Sequence, residues 1–502
     1  MSTNKKLTIL IFVTSIILLA VGLFSELSLG DEVYHYRFAK DIFYSGKRAT
    51  FDSLYGSGNP PGYLYVIEPL WHIFLALLWQ LCGNVYFCVA QFYQTIYYAL
   101  LILFTFLLGK EIYGQKEGLY AALIVATMPV VISFSILFYL DVPATCFSIL
   151  CILLFIKKKY LWSGFILGLM YLTKRNAFFF APAFFFLILI QREVNFRKKV
   201  KEIFCLLIMT LLFILPDILW RENNLKSKIV VEGKVVNSVN LGTLEGTIDR
   251  FSLMIHGLKN TEYLNSYLSN PLDILKYLGI PLLCMLFLYV VFIKYEKKDL
   301  HLWVLIIFFY IFFCFIFNPG SDIRYIVPVL PLLAIISAKM LNYLKWGYSN
   351  FFLITICLLQ FTITVFYVGI NRQIPKDIED GFNYIKNNTP KDSLVIYPEY
   401  VIIEKTNRRF VWAGIIPLEI KTLFWSDNIS AVENSLKSFN INYIAIKKSR
   451  IYDDSQIHHF GGYPKSFVEK LPSFPFLELV FNNSAMSIWK NKNLQKSINK
   501  DE

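Results

Sequence analysis

The chain is 502 residues long, 56% hydrophobic and 17% aromatic, with only 17% charged residues and a mean hydropathy of +0.50. A soluble protein of this length carries more charge and lacks repeated apolar runs of about twenty residues, so composition excludes a soluble globular chain. The formal charge of +13 would suggest nucleic acid in a soluble protein, but here the basic residues sit in short gaps between apolar runs, which reads as membrane topology with no nucleic-acid partner.

The first apolar run, from Leu7 to Leu27, is too long for a signal-peptide core and has no clean small-residue cleavage site, so it is expected to persist as a spanning helix. Directly after it comes "SLGDEVYHYRFAKDIF", residues 28–43, with Asp31 and Glu32 side by side at a membrane boundary and His35 one helical turn later. The next segment, "PPGYLYVIEPLWHIFLALLWQLCG" from Pro60 to Gly83, is apolar but holds Glu68, Pro69 and His72 in its middle. Further apolar runs centre on 86–108, 118–137, 141–156, 160–173, 177–191, 203–220, 272–293, 302–317, 325–344 and 350–370. If Pro60–Gly83 lies along the membrane, then Lys5, Lys6, Lys110, Lys116, Lys157 to Lys159, the cluster from Arg192 to Lys201, Lys294, Lys297, Lys298 and Lys345 share one side. The positive-inside rule makes that side the cytoplasm. The expectation is therefore a polytopic α-helical membrane protein with about eleven spans, the amino terminus inside and the carboxyl terminus outside.

This topology leaves four extracytoplasmic parts: the first loop at 29–85, a turn at Asp141, a loop at about 221–271, and everything after about 371. In the last, "KDIEDGFNYIKNN" and "ISAVENSLKSF" read as helices, "DSLVIYP" and "NYIAIKK" as strands, and "FLELVFNNSAMSIWKN" as two strands joined at Asn482–Asn483. Residues 1–370 are thus expected to form a transmembrane domain and 371–502 a small extracytoplasmic mixed α/β domain. None of the eight cysteines falls in the polar carboxyl-terminal third, and none has disulfide or metal-ligand spacing.

Carboxylates at a membrane boundary are partly desolvated, and one held there can serve as a general base. Asp31 and Glu32 fit that description, although an interfacial acid that only ends a helix in water would look the same. Asp141, in "SILFYLDVPATCFSIL", emerges on the same face under the lysine-based topology; its position before Pro143 also fits an ordinary helix cap. Lys174 and Arg175 ("YLTKRNAFFFAP") and Arg324 ("NPGSDIRYIVPVLPLLAI") fall on that outer face against the general charge bias. Such cations suit an anionic lipid head group, with snorkelling to the interface as the plainer alternative.

These residues resemble GT-C-fold glycosyltransferases that use polyprenyl-phosphate sugars, the group containing protein O-mannosyltransferases and aminoarabinose transferases. The resemblance rests on "GDEVYHY", "GNPPGYLYVIEPLWHIF", "LDVPATCFSIL" and "LTKRNAFFFAP" with "RYIVPVLPLLAI", in that order over the first 345 residues or so. It implies a GT-C-like catalytic domain, a donor on undecaprenyl or dolichyl phosphate, an acceptor hydroxyl on a glycan, lipid or protein, and inversion at the sugar. Carried over residue by residue, Asp31 is the base, Glu32 and Asp141 orient it or the acceptor, and Lys174, Arg175 and Arg324 hold the lipid phosphate. Asn59 stands where a lysine often precedes the two prolines, which leaves the sugar and acceptor open. No cofactor is expected; a divalent metal held by Asp31, His35 and Asp141 is a weaker alternative. The competing classes are a transporter or lipid flippase, an O-antigen polymerase or ligase-like enzyme, and a scaffold. The expected location is a bacterial or archaeal cell membrane.

Overall fold

A computed structural model describes residues 2–25, 27, 30–47, 68–191, 194–224, 228–231, 234–237, 279–292, 297–316, 327–343, 347–399, 401–412, 423–424, 426–453 and 462–494. In chain order the helices are α1 (Thr3–Leu23), α2 (Gly30–Ser45), α3 (Leu70–Cys82), α4 (Phe87–Ile112), α5 (Gln115–Ala126), α6 (Pro129–Ile136), α7 (Asp141–Ile156), α8 (Tyr160–Thr173), α9 (Ala181–Leu189) and α10 (Phe196–Asn224). A hairpin of β1 (Lys228–Val231) and β2 (Lys234–Asn237) follows, then α11 (Ile280–Phe292), α12 (Lys297–Ile316), α13 (Leu330–Tyr343) and α14 (Gly347–Asn371). The remaining elements are α15 (Lys376–Asn388), β3 (Leu394–Tyr397), α16 (Val401–Thr406), β4 (Arg409–Trp412), α17 (Ile429–Ser438), β5 (Tyr443–Lys447), β6 (Ile451–Tyr452), β7 (Tyr463–Pro464), α18 (Lys465–Lys470), β8 (Leu477–Asn482) and β9 (Met486–Asn491).

The chain divides into two units. The first holds α1 and the helices from α3 to α14. Among its described residues, α1, α4, Phe196–Arg221 of α10 and Leu353–Ile370 of α14 are long and apolar enough to cross a bilayer, and α5 with α6, bent by 58°, would make a fifth span. The other apolar helices, such as α7 at 16 residues and α8 at 14, are shorter than the roughly twenty residues a straight crossing needs. With several apolar helices of this kind, the protein is an integral membrane protein.

Helix association here relies on small residues, because lipid offers no hydrophobic drive between helices. "GFILG" on α8 is such a pattern. A Cβ on Gly164 would come within 2.2 Å of the Leu206 carbonyl oxygen of α10, and one on Gly168 within 2.8 Å of the Phe213 ring. Thr210 Oγ1 also donates to the Gly164 carbonyl at 3.1 Å, so the two backbones are in near contact. A buried glutamine fixes the α6–α7 turn. Gln94 Nε2 donates to the carbonyls of Phe134 (2.7 Å) and Tyr139 (2.9 Å), while its Oε1 accepts from Trp71 Nε1 of α3 at 3.1 Å. Satisfying those carbonyls is what allows an irregular turn to be buried at this point.

The second unit holds α2, the β1–β2 hairpin and the chain from Asn371 onward. Its main sheet has the order β4-β3-β5-β9-β8, with β4, β3 and β5 parallel and β9 antiparallel to both β5 and β8. Leu394, Ile396, Ile444 and Ile446 face a core shared with Val432 and Leu436 of α17 and Phe467 of α18. The "NYIAIKK" and "DSLVIYP" stretches form the central parallel strands, and the Asn482–Asn483 stretch turns β8 into β9. Arg408 anchors the end of α15: its guanidinium donates to the carbonyls of Lys386 (2.6 Å) and Thr389 (2.7 Å) and to Thr389 Oγ1 (3.0 Å). These are carbonyls a helix terminus would otherwise leave unpaired.

Candidate functional site

In the first unit, the charged residues gather where α3 and α7 begin and where α8 and α10 end. Asp141 is the first residue of α7 and makes no capping hydrogen bond, so it is not the N-cap that its position before Pro143 suggested. Its side chain is 1% exposed and is paired with Lys174 Nζ at 2.5 Å. Lys174 can reach it because the chain leaves α8 in an extended conformation there before turning into a short 3-10 helix. The second carboxylate oxygen, Oδ2, is buried without a hydrogen-bond partner among the described residues. A buried acceptor left in that state is costly unless something else satisfies it.

Arg175, the next residue, pairs with Glu68 at 3.0 Å and lies over the Tyr171 ring at 5.7 Å. Tyr171 is within electrostatic reach of Asp217 and Arg221 as well. Those two residues form an almost fully buried i,i+4 pair, with Nε to Oδ2 at 2.7 Å, in the stretch of α10 that follows Pro216. The close α8–α10 approach at Gly164 and Gly168 is what brings residues 171–175 beside 217–221. Three cations and three carboxylates therefore converge in one place: Lys174, Arg175 and Arg221 with Asp141, Glu68 and Asp217. Sequence reasoning missed Glu68, Asp217 and Arg221 as site residues. The Asp217–Arg221 spacing at the end of an apolar run was the available signal, since intramembrane charges one helical turn apart usually pair.

In the second unit, Asp31 and Glu32 occupy the first turn of α2, where a helix N-terminus favours negative charge. They face different surroundings: Asp31 is half-buried, whereas Glu32 is fully buried and paired with the equally buried Arg372 at 2.6 Å. His35 is buried one turn along, edge-on to Tyr34. Farther down the helix, Glu404 of α16 accepts from Lys40 Nζ at 2.9 Å and from Arg37 at 3.3 Å. Asp41, also paired with Arg37, sits deep enough that burial outweighs Arg37 and Lys40, and with Glu404 nearby its carboxyl is pushed up to about 6.

The structure thus brings Asp141 and Lys174 together, with Arg175 beside them, and keeps Asp31 and Glu32 on one helical turn. Arg324 and the Asn59–Gly62 segment lie outside the described residues. Among the described residues, no three His, Cys, Asp or Glu side chains converge as a metal site.

The family profile described as dolichyl-phosphate-mannose-protein mannosyltransferase matches residues 66–220, a stretch that holds Glu68, Asp141, Lys174, Arg175 and Asp217. No curated protein sequence matches the chain. Among solved structures, ArnT from Cupriavidus metallidurans bound to undecaprenyl phosphate aligns over 98% of this chain and 98% of its own, with a TM-score of 0.64 and 12% identity. The Archaeoglobus fulgidus oligosaccharyltransferase in complex with zinc and sulfate aligns over 87% of this chain and 68% of its own, with a TM-score of 0.58 and 14% identity. AglB from the same organism, in complex with an inhibitory peptide and a dolichol-phosphate, gives a TM-score of 0.54 at 12% identity over 88% and 69%. The chain shares the fold of these membrane transferases, which is the fold implied by the resemblance read from its sequence.

Proposed function

We propose that the protein is an inverting membrane glycosyltransferase that moves a sugar from a polyprenyl-phosphate donor to an acceptor hydroxyl on the extracytoplasmic face. The observation that carries this is the charged cluster around the buried Asp141, which lies almost entirely inside the stretch that matches the mannosyltransferase family. The shared fold with structures whose ligands are undecaprenyl phosphate and dolichol-phosphate supports the donor class.

The chemistry needs few groups. Asp31 takes the proton of the acceptor hydroxyl as its oxygen attacks the anomeric carbon from the side opposite the lipid phosphate. The anomeric carbon–oxygen bond breaks as the new one forms, its electron pair leaves with the polyprenyl phosphate, and the sugar inverts. Lys174, Arg175 and Arg324 stabilise the charge that grows on the departing phosphate, arginine being suited to it by its forked donors. Asp141, with Oδ1 held by Lys174, offers Oδ2 to a hydroxyl of the sugar or acceptor. A phosphate monoester leaves with little protonation, so the scheme invokes no metal. Around this chemistry we place about eleven spans, a cytoplasmic amino terminus and an extracytoplasmic mixed α/β module over 371–502, in a bacterial or archaeal cell membrane.

The test is incubation of the purified protein, in a lipid nanodisc, with a polyprenyl-phosphate sugar and an acceptor extract. Sugar transfer releases one free polyprenyl phosphate per glycosylated acceptor. Movement of intact lipid-linked sugar between leaflets of a vesicle, with no cleavage, would overturn the transferase reading in favour of a flippase.

A further inference from the structure

We infer that Arg372, at the start of the carboxyl-terminal segment, is a positioning residue that aims Asp31 through its buried ion pair with Glu32. The aim itself follows from geometry; its effect on turnover rests on the role proposed above for Asp31.

Successive residues on an α-helix point about 100° apart, so any contact that fixes the direction of Glu32 also fixes that of Asp31. Glu32 and Arg372 are both fully buried and meet at 2.6 Å. One pair alone would leave the helix free to swing about that point. A second attachment lies five and eight residues along, where Arg37 and Lys40 both bind Glu404 of α16. At about 1.5 Å per residue the two attachments stand roughly 8–12 Å apart, which sets both the axis of α2 and its rotation. Val33, Phe38 and Ala39 are each 1% exposed or less, so packing fills in what the charges locate.

The chemical cost of the first attachment argues that position matters there. A fully buried ion pair is a poor source of stability compared with apolar residues of the same size, because two charges must be desolvated. It does fix a geometry tightly, and a displacement of about 1 Å at a reacting group can cost on the order of a hundredfold in rate. Asp31, one residue away and half-buried, is the group that would be displaced.

The test uses full-length protein in which the exposed Cys82, Cys88 and Cys284 are replaced by serine. First, Asp31→Cys is introduced and its rate of reaction with a bulky maleimide is measured with Arg372 intact, as Arg372→Gln and as Arg372→Lys. The lysine variant keeps the charge and so guards against simple misfolding of the glutamine one. The expected result is a change of fivefold or more in labelling rate for either variant that folds. Rates within twofold of the parent for the folded variants would overturn the clamp. Second, kcat and KM for the polyprenyl-phosphate sugar are measured with Asp31 in place. Arg372→Lys is expected to lower kcat about tenfold or more with KM within twofold, whereas a merely structural pair would lower the folded yield and leave kcat per folded molecule alone. A changed labelling rate with unchanged kcat would count against Asp31 as the base and leave the clamp standing.

Discussion

Lys174 and Asp141 make the sharpest case at the scale of single residues. Removing one partner of a buried pair leaves the other charge uncompensated, which typically costs about 3–5 kcal/mol. Lys174→Met should therefore lower the thermal midpoint markedly, and adding Asp141→Asn should recover most of that loss without restoring sugar transfer. Thermal unfolding followed by light scattering, beside a turnover assay, checks both halves. Asp41 behaves in the opposite sense. Its folded pKa is raised to about 6 from an ordinary value of 3.8, so its contribution to stability is intact below the ordinary value and is lost as pH rises through about 6. Asp41→Asn should raise the melting temperature by a few degrees at pH 8 and leave it nearly unchanged at pH 4; an equal shift at both pH values would contradict the assignment. Several of these residues announced themselves in the sequence, being charges set against apolar runs: Asp31, Asp141, Lys174 and Arg175. Their pairings did not. Asp141 and Lys174 were both visible, but their pairing depends on how α7 and α8 lie side by side. Arg372 is the first charge after the last apolar run, much as Asp31 is the first after the opening one, yet nothing local tells that these two ends meet through Glu32.

Among elements, α8 and α10 hold the cluster together, and they do so by backbone proximity. An alanine at Gly164 would drive its Cβ into the Leu206 backbone, which has nowhere to go, whereas one at Gly369 of α14 would meet only the Val21 side chain at 3.5 Å, an ordinary van der Waals contact. Gly164→Ala should lower both the thermal midpoint and transfer activity, the latter tenfold or more as residues 171–175 separate from 217–221. Gly369→Ala should leave both within about a third of the parent values. The "GFILG" spacing was there to be read. The end of α10 was harder: hydropathy stops at Trp220, but the helix runs on to Asn224 because the Asp217–Arg221 pair neutralises its own charges. In the carboxyl-terminal segment, α15, β3, α17, β5, β8 and β9 were legible from alternation and helical periodicity. Four-residue β4 and six-residue α16 were not, since windows so short carry almost no period and their strand pairing is decided by distant neighbours.

For the whole molecule, the proposed function links orientation in the membrane to the reaction, since it places the lysine-rich gaps on the side away from the sugar acceptor. A cysteine replacing Lys158, in a background lacking exposed native thiols, should resist a membrane-impermeant maleimide in intact cells and react after permeabilisation. Reaction in intact cells would invert the topology. The fold shared with ArnT and the oligosaccharyltransferases holds at 12–14% identity, so the architecture is kept with little overall sequence in common. The most direct measurement of the central claim is single-turnover release of polyprenyl phosphate from its sugar ester, with a saturating acceptor extract to take the sugar, by the wild-type protein and by Asp31→Asn at equal donor occupancy. With Asp31 as the base, the variant releases lipid phosphate about a hundredfold more slowly or worse while still binding the donor. Release at the wild-type rate would contradict it.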